Sequence, residues 1–214
     1  DGTLWTWGWN AQGILGLNQP SSGVDGKSSP TQVGTDTTWL RPAIGSATNA
    51  GHMAAIKVDG TLWVWGAGSN GEIGVNDRTM RSSPVQVPGT TWKTVYLTNF
   101  TIATKTDGTL WAWGNNNNGR LGLNQPSPTR ISSPTQVGTD TTWDEVGGGE
   151  SQGFASKTDG TLWAWGENEN GALVQNDTVD LSSPTQIPGM WGSTAPLGGF
   201  SPTGNRTWFG NKVS

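Results

Sequence analysis

The five residues Asp-Gly-Thr-Leu-Trp occur four times in this chain, at 1–5, 59–63, 107–111 and 159–163, and any fold must accommodate that repetition first. Each copy runs on into x-Trp-Gly, at Thr6-Trp7-Gly8, Val64-Trp65-Gly66, Ala112-Trp113-Gly114 and Ala164-Trp165-Gly166. A polar turn closing in Gly follows, at 10–13, 69–71, 115–119 and 167–171, then Leu-Gly-Leu-Asn or a variant at 15–18, 73–76, 121–124 and 173–176. Ser-Ser-Pro-x-Gln-Val/Ile comes next, at 28–33, 82–87, 132–137 and 182–187, and Trp39, Trp92, Trp143 and Trp191 close the units. Modules of about fifty residues that recur in this way cannot bury their apolar faces singly, so they stack. The repeats run over 1–58, 59–106, 107–158 and 159–202 in one domain. A partial fifth copy occupies 203–214, where Thr203-Gly204-Asn205-Arg206-Thr207-Trp208-Phe209-Gly210 aligns with Asp-Gly-Thr-Leu-Trp-Ala-Trp-Gly. The chain opens in mid-repeat without Met, as a processed protein or a part of a longer one would.

Alternation identifies the local structure. In residues 109–114, Trp111 and Trp113 share one face of a strand while Leu110, Ala112 and Gly114 share the other. Trp63/Trp65, Trp163/Trp165 and Trp5/Trp7 repeat the pattern, so all eight are expected in the core, the bulky face of one sheet against the small face of the next. Asp-Gly before the strand predicts a hairpin, with 53–58, 101–106 and 154–158 as partner strands. No window carries sustained helical periodicity. The expected fold is all-β: a β-propeller of four to five blades in this chain, each a four-stranded antiparallel sheet, or part of a seven-bladed ring. The composition agrees. Apolar residues are only 32% of the chain, but it has 14 Trp. Each buried Trp removes roughly 150–250 Å² from water, about 4–6 kcal/mol before entropy. The 33 Gly suit many tight turns.

Other chemistries find little material. The chain has no Cys, a net charge of −4 and 12 Lys and Arg, which argues against disulfides, thiolate metal sites and a phosphate-binding surface. No apolar run reaches the roughly 20 residues needed to span a bilayer, and no signal peptide is visible. The single His, His52, would have to serve any Ser/His/Asp system. The carboxylate pairs Asp144/Glu145 and Glu167/Glu169 could in principle hydrolyse a glycoside, but Asn115 and Asn117 replace the second pair one repeat earlier. Residues 167–171 resemble an oxygen-rich calcium loop without a closing acid, and turn chemistry explains them equally well. No catalytic residue, cofactor or metal is expected.

The repeat resembles that of the regulator-of-chromosome-condensation family. Gly51-His52, Ala55-Ile56, Asp59-Gly60, Trp63-Val64-Trp65-Gly66, Gly71-Glu72-Ile73-Gly74 and Pro84-Val85-Gln86-Val87 follow its pattern almost in full. Phe100 and Gln152 stand at the His position in the next two copies, and Val174 replaces a Gly kept elsewhere. The resemblance implies a β-propeller, usually seven-bladed, a structural role for His52, and a ring completed by further repeats or other copies of the chain. The family's founding members exchange nucleotide on a small GTPase and bind chromatin, and others act as protein-binding scaffolds or as a secreted β-lactamase inhibitor. The wording of these repeats is closest to bacterial and phage versions.

Binding rather than catalysis is therefore expected, with a protein or a surface glycan as ligand and neither nucleic acid nor membrane insertion. Few Lys and no Cys favour an extracellular or virion setting, such as a phage appendage for host attachment; an intracellular scaffold and a secreted enzyme inhibitor are the alternatives. Length varies only in the 19–27 and 125–131 loops, which makes Gln19, Asp25, Lys27, Gln125 and Arg130 candidate ligand contacts. Trp9 and Tyr96 lie outside the repeat pattern and join them as candidate surface aromatics.

Overall fold

The computed structural model describes residues 1–19, 26–45, 51–127, 129–189 and 191. Asp25, most of the 19–27 loop and the partial repeat at 203–214 lie outside them. Among the described residues, fourteen strands form four antiparallel sheets. The first contains β1 (Trp5–Gly8) and β2 (Lys27–Gln32). The second is ordered β3 (Trp39–Ile44), β4 (His52–Lys57), β5 (Leu62–Gly66) and β6 (Arg81–Gln86). The third follows the same course through β7 (Trp92–Leu97), β8 (Phe100–Lys105), β9 (Leu110–Asn115) and β10 (Arg130–Gln136), and the fourth through β11 (Trp143–Gly148), β12 (Gln152–Lys157), β13 (Leu162–Gly166) and β14 (Leu181–Ile187). Each full sheet takes two strands from before an Asp-Gly turn and two from after it, so sheet and sequence repeat are out of phase.

The Asp-Gly hairpins are built by a relay of side chains. Asp59 Oδ1 accepts from Thr61 N at 2.9 Å and Thr61 Oγ1 at 2.7 Å, and that hydroxyl accepts from Trp63 Nε1 at 3.0 Å. Asp107–Thr109–Trp111 and Asp159–Thr161–Trp163 repeat it. The relay explains why Thr follows Asp-Gly and ties the first Trp of the following strand to the rim turn. At the strand's end the backbone turns at Gly66, φ 104°, where a Cβ would stand 2.6 Å from the Gly51 carbonyl. Pro84, Pro134 and Pro184 lie on the outermost strands, where a ladder donor is not needed and edge pairing with another chain is discouraged.

Consecutive sheets pack bulky face on small face. Ala54, Ile56, Leu62 and Val64 of the second sheet, with Ile73 after it, meet Trp92, Ala103 and Trp113 of the next sheet. Phe100, Ile102, Leu110, Ala112 and Leu121 meet Trp143, Val146, Ala155 and Trp165 in the same manner. Trp65, Trp113 and Trp165 are fully buried there, and Trp63, Trp111 and Trp163 half-buried. Two of the Trp expected in the core are not in it: Trp5 is 47% exposed and Trp7 63%. Their residue type and spacing match the buried ones. The difference is that a Trp face packs on the sheet before it, and no described sheet precedes the first.

Candidate functional site

Every sheet junction is pinned by the second Trp of its strand. Trp65 Nε1 donates to the Ile14 carbonyl at 2.8 Å, Trp113 Nε1 to Glu72 at 2.9 Å and Trp165 Nε1 to Arg120 at 2.9 Å. In each case the indole lies over a left-handed Gly two residues further on: Gly16, Gly74 or Gly122. A Cβ on these glycines would stand 2.8, 2.6 and 3.0 Å from the indole nitrogen, so the seat requires Gly for space as well as for φ. At the second junction His52 extends the network. Its Nε2 lies 3.0 Å from Thr101 Oγ1, and that hydroxyl donates to the same Glu72 carbonyl at 2.9 Å. His52 is wholly buried, and burial pushes its pKa down to about 3, so it serves as a neutral structural donor.

A second repeated feature lines one rim. The Lys57 ammonium lies 4.7 Å from the Trp39 ring centroid and 4.0 Å from that of Trp63, and pairs with Asp36 at 2.5 Å. Lys157 does the same between Trp143 and Trp163, with Asp140 at 2.5 Å. Lys105 keeps its two indoles, Trp92 and Trp111, but among the described residues it has no ion pair, because the turn before Trp92 is shorter and lacks the Asp. A cleft of about 400 Å³ opens at the first of these cages, bordered by Asp36, Trp39, Lys57 and Trp63.

Among the described residues β1 pairs only with β2, whereas its equivalents β5, β9 and β13 pair on both sides. On the first sheet Trp5 and Trp7 are exposed among those residues, and Trp9, 68% exposed, follows directly. In the second sheet β3 is less covered than β7 or β11, with Leu40 and Ile44 exposed.

The other sequence candidates do not converge on this face. Gln19 is half-buried, Lys27 is half-buried on β2, and Gln125 and Arg130 are exposed near the third polar turn. Tyr96 is no surface aromatic. It packs on the third-to-fourth junction and donates to the Gly148 carbonyl at 2.5 Å, and burial pushes its pKa up to about 12. Asp144 pairs with Lys93 of the neighbouring sheet, and burial raises the pKa of Glu145 beside it. Sequence reasoning missed the exposure of Trp5 and Trp7. The local sequence carries no signal for it, because their motif is the same as that of the buried pairs.

Stacked four-stranded sheets with one inter-sheet pin per repeat define a β-propeller-type repeat protein. The chain belongs to the regulator of chromosome condensation (RCC1) repeat family, whose pattern matches residues 1–56, 107–155 and 159–194. It is 27% identical over 191 residues to the ultraviolet-B receptor UVR8 of Arabidopsis thaliana, covering 87% of this chain and 42% of that protein. It is 30% identical over 202 residues to the human probable E3 ubiquitin-protein ligase HERC3, covering 89% and 18%. Among solved structures, human WBSCR16 matches with a TM-score of 0.76 at 20% identity over 88% of this chain and 48% of the other. Prp20p of Saccharomyces cerevisiae, described with its binding to Gsp1p and histones, matches at 0.70 and 21% over 86% and 46%. The chain thus spans less than half the length of each of these proteins.

Proposed function

We propose that this chain is a non-enzymatic protein-binding scaffold, with Trp9 among its contacts. The observation that carries this reading is the 68% exposure of Trp9, an aromatic outside the repeat pattern, on sheets held rigid by the Trp seats. An exposed indole on a rigid scaffold is a residue favoured as a binding hot spot. The protein partners named for Prp20p agree with this class of function. Exposed indoles also stack on sugar rings, so a surface glycan is the alternative ligand of Trp9. Display on a virion or cell surface is an expectation from the sequence alone.

The test is affinity capture from the natural source with three baits: the parent chain, a Trp9→Ala variant and a Val58→Ala/Val179→Ala control. A partner held by parent and control and lost by the Trp9→Ala variant supports the reading. Equal capture by all three removes it.

A further inference from the structure

The three lysine cages on the rim share one framework and differ in one group. The carbonyls of Thr38, Thr91 and Thr142 accept the amides of Val58, Thr106 and Thr158 at 2.9, 2.8 and 2.9 Å, so these threonines hold matching places. In two cages a carboxylate completes the site. Asp36 Oδ1 accepts from Thr38 N at 2.8 Å and Thr38 Oγ1 at 2.6 Å, which leaves Oδ2 to take the Lys57 ammonium at 2.5 Å. Asp140 does the same with Thr142, at 2.9 and 2.7 Å, and with Lys157 at 2.5 Å.

At Lys105 the acid is gone. Four residues, Pro88-Gly89-Thr90-Thr91, join Val87 to Trp92, where five join Val33 to Trp39 and Val137 to Trp143. Gly89 now lies beside the ammonium, with its Cβ position 3.3 Å from Lys105 Nζ, and Thr91 turns its hydroxyl onto the Thr90 carbonyl at 2.5 Å. Gly89, Thr90 and Thr91 are exposed, and Lys105 is half-buried. Asp107, two residues on, does not replace the lost acid. It is bonded to Thr109, and Asp59 and Asp159 are bonded in the same way beside the two lysines that do have partners.

We propose that the Lys105 cage binds a carboxylate carried by another protein, an Asp side chain that enters over Gly89 and takes the place Asp36 and Asp140 hold in their own cages. The ammonium is already fixed between two indoles, 4.7 Å from the Trp92 centroid and 4.3 Å from that of Trp111, so binding costs little further side-chain freedom. The rings also shield it from water, which strengthens a charge-assisted bond. One ammonium matches a monoanion, and the Asp107 charge acting on Lys105 disfavours a phosphate dianion. The inference shares the protein-binding reading above but not its Trp9 contact.

The probe is the turn that fills the other two cages. Residues 35–38 and 139–142 both read Thr-Asp-Thr-Thr. This tetrapeptide, acetylated and amidated, is titrated into the full chain while NMR follows the Lys105 ammonium and the Trp92 and Trp111 indoles. Its Asn and phosphoserine counterparts and acetate are compared. Two variants are run alongside: Lys105→Met, and a chain whose residues 88–91 are replaced by Gly-Thr-Asp-Thr-Thr, the turn of 34–38, which supplies the carboxylate from within. The parent should bind the Asp peptide roughly fivefold or more tighter than the other three ligands. Lys105→Met should lose that preference, and the turn-replaced chain should not bind at the cage. Melting curves verify that both variants fold, and if Lys105→Met does not, the turn-replaced chain, which keeps Lys105, decides. The inference is overturned by a parent that binds no Asp peptide up to about 10 mM, or by Asn, phosphoserine or acetate ligands that bind as well. Unchanged binding by the turn-replaced chain overturns it too. Trp9→Ala should bind the Asp peptide as the parent does, so a failure here and a failure of the capture experiment are read separately.

Discussion

The indole nitrogen of Trp113 reaches the carbonyl oxygen of Glu72 at 2.9 Å across 41 residues of chain, and this bond recurs at each junction between described sheets. It joins a dispersion-rich side chain to a directional donor, so each junction is set in register as well as packed.

Trp113→Ala and Trp7→Ala should accordingly behave as opposites, although both belong to the same sequence motif. The first empties a fully buried site and leaves the Glu72 carbonyl with one donor fewer, at a cost of roughly 3–5 kcal/mol. The second removes an exposed ring and should change stability by less than about 0.5 kcal/mol. Urea unfolding of both variants checks this; similar losses would mean the first sheet's face is covered in solution.

His52 makes stability fall with acid. Its folded pKa of about 3 lies below the ordinary value near 6.5. The unfolded chain therefore gains a proton first as the pH drops, and the stability His52 contributes, complete above pH 6.5, is lost towards pH 3, at up to about 1.4 kcal/mol per pH unit. Glu72 and Glu145, whose carboxyls burial raises, act in the opposite direction. Comparing the parent with His52→Gln at pH 7, 5.5 and 4.5 isolates the His contribution, and parallel pH profiles would refute it.

Gly122→Ala should destabilise by about 1–3 kcal/mol, since alanine is disfavoured at φ 69° and its Cβ would press on the Trp165 indole. Thermal melts give the value. The same change at Gly138, also left-handed but with nothing near its Cβ position, should cost only the backbone part.

The rim cages separate two kinds of charge interaction. Asp140 has its pKa lowered to about 2, chiefly by its bond to Lys157, so its contribution is present above its ordinary value and is lost as the pH falls towards 2. Its side chain is 38% exposed, which limits Asp140→Asn to under about 1 kcal/mol and makes the effect fade with added salt. Lys105→Met removes contacts to two indoles and no ion pair, so its cost, on the order of 1 kcal/mol, should change little with salt. Denaturation at 50 mM and 500 mM chloride distinguishes them.

The repeat and its strands were legible because they are local. Alternation of Trp with Leu and Ala, and Asp-Gly at each hairpin, are properties of a few adjacent residues. The fate of Trp7 was not, because Trp7 and Trp65 end the same Asp-Gly-Thr-Leu-Trp-x-Trp motif and differ in whether a described sheet stacks on them. Tyr96 misled for the converse reason. It breaks the repeat pattern, which suggested surface, yet the register shift between Trp92 and Thr94 on β7 leaves it on the face opposite Trp92 and Val95, at the third-to-fourth junction. Val174 stands out in the sequence as a departure, but only the structure shows that the glycines at its equivalent positions, Gly16, Gly74 and Gly122, lie under an indole.

The Asp-Gly hairpins carry one more consequence. Among Asp-containing dipeptides Asp-Gly is the most prone to age into isoaspartate, a reaction in which the following amide nitrogen attacks a protonated side-chain carboxyl. In this protein the carboxylates of Asp59, Asp107 and Asp159 are turned towards the Thr two residues on, and those bonds hold their pKa values low. The same relay that shapes the turn thus keeps the carboxyl ionised and bonded to the Thr, and peptide mapping after prolonged incubation should find these three linkages intact as long as the sheets stay folded.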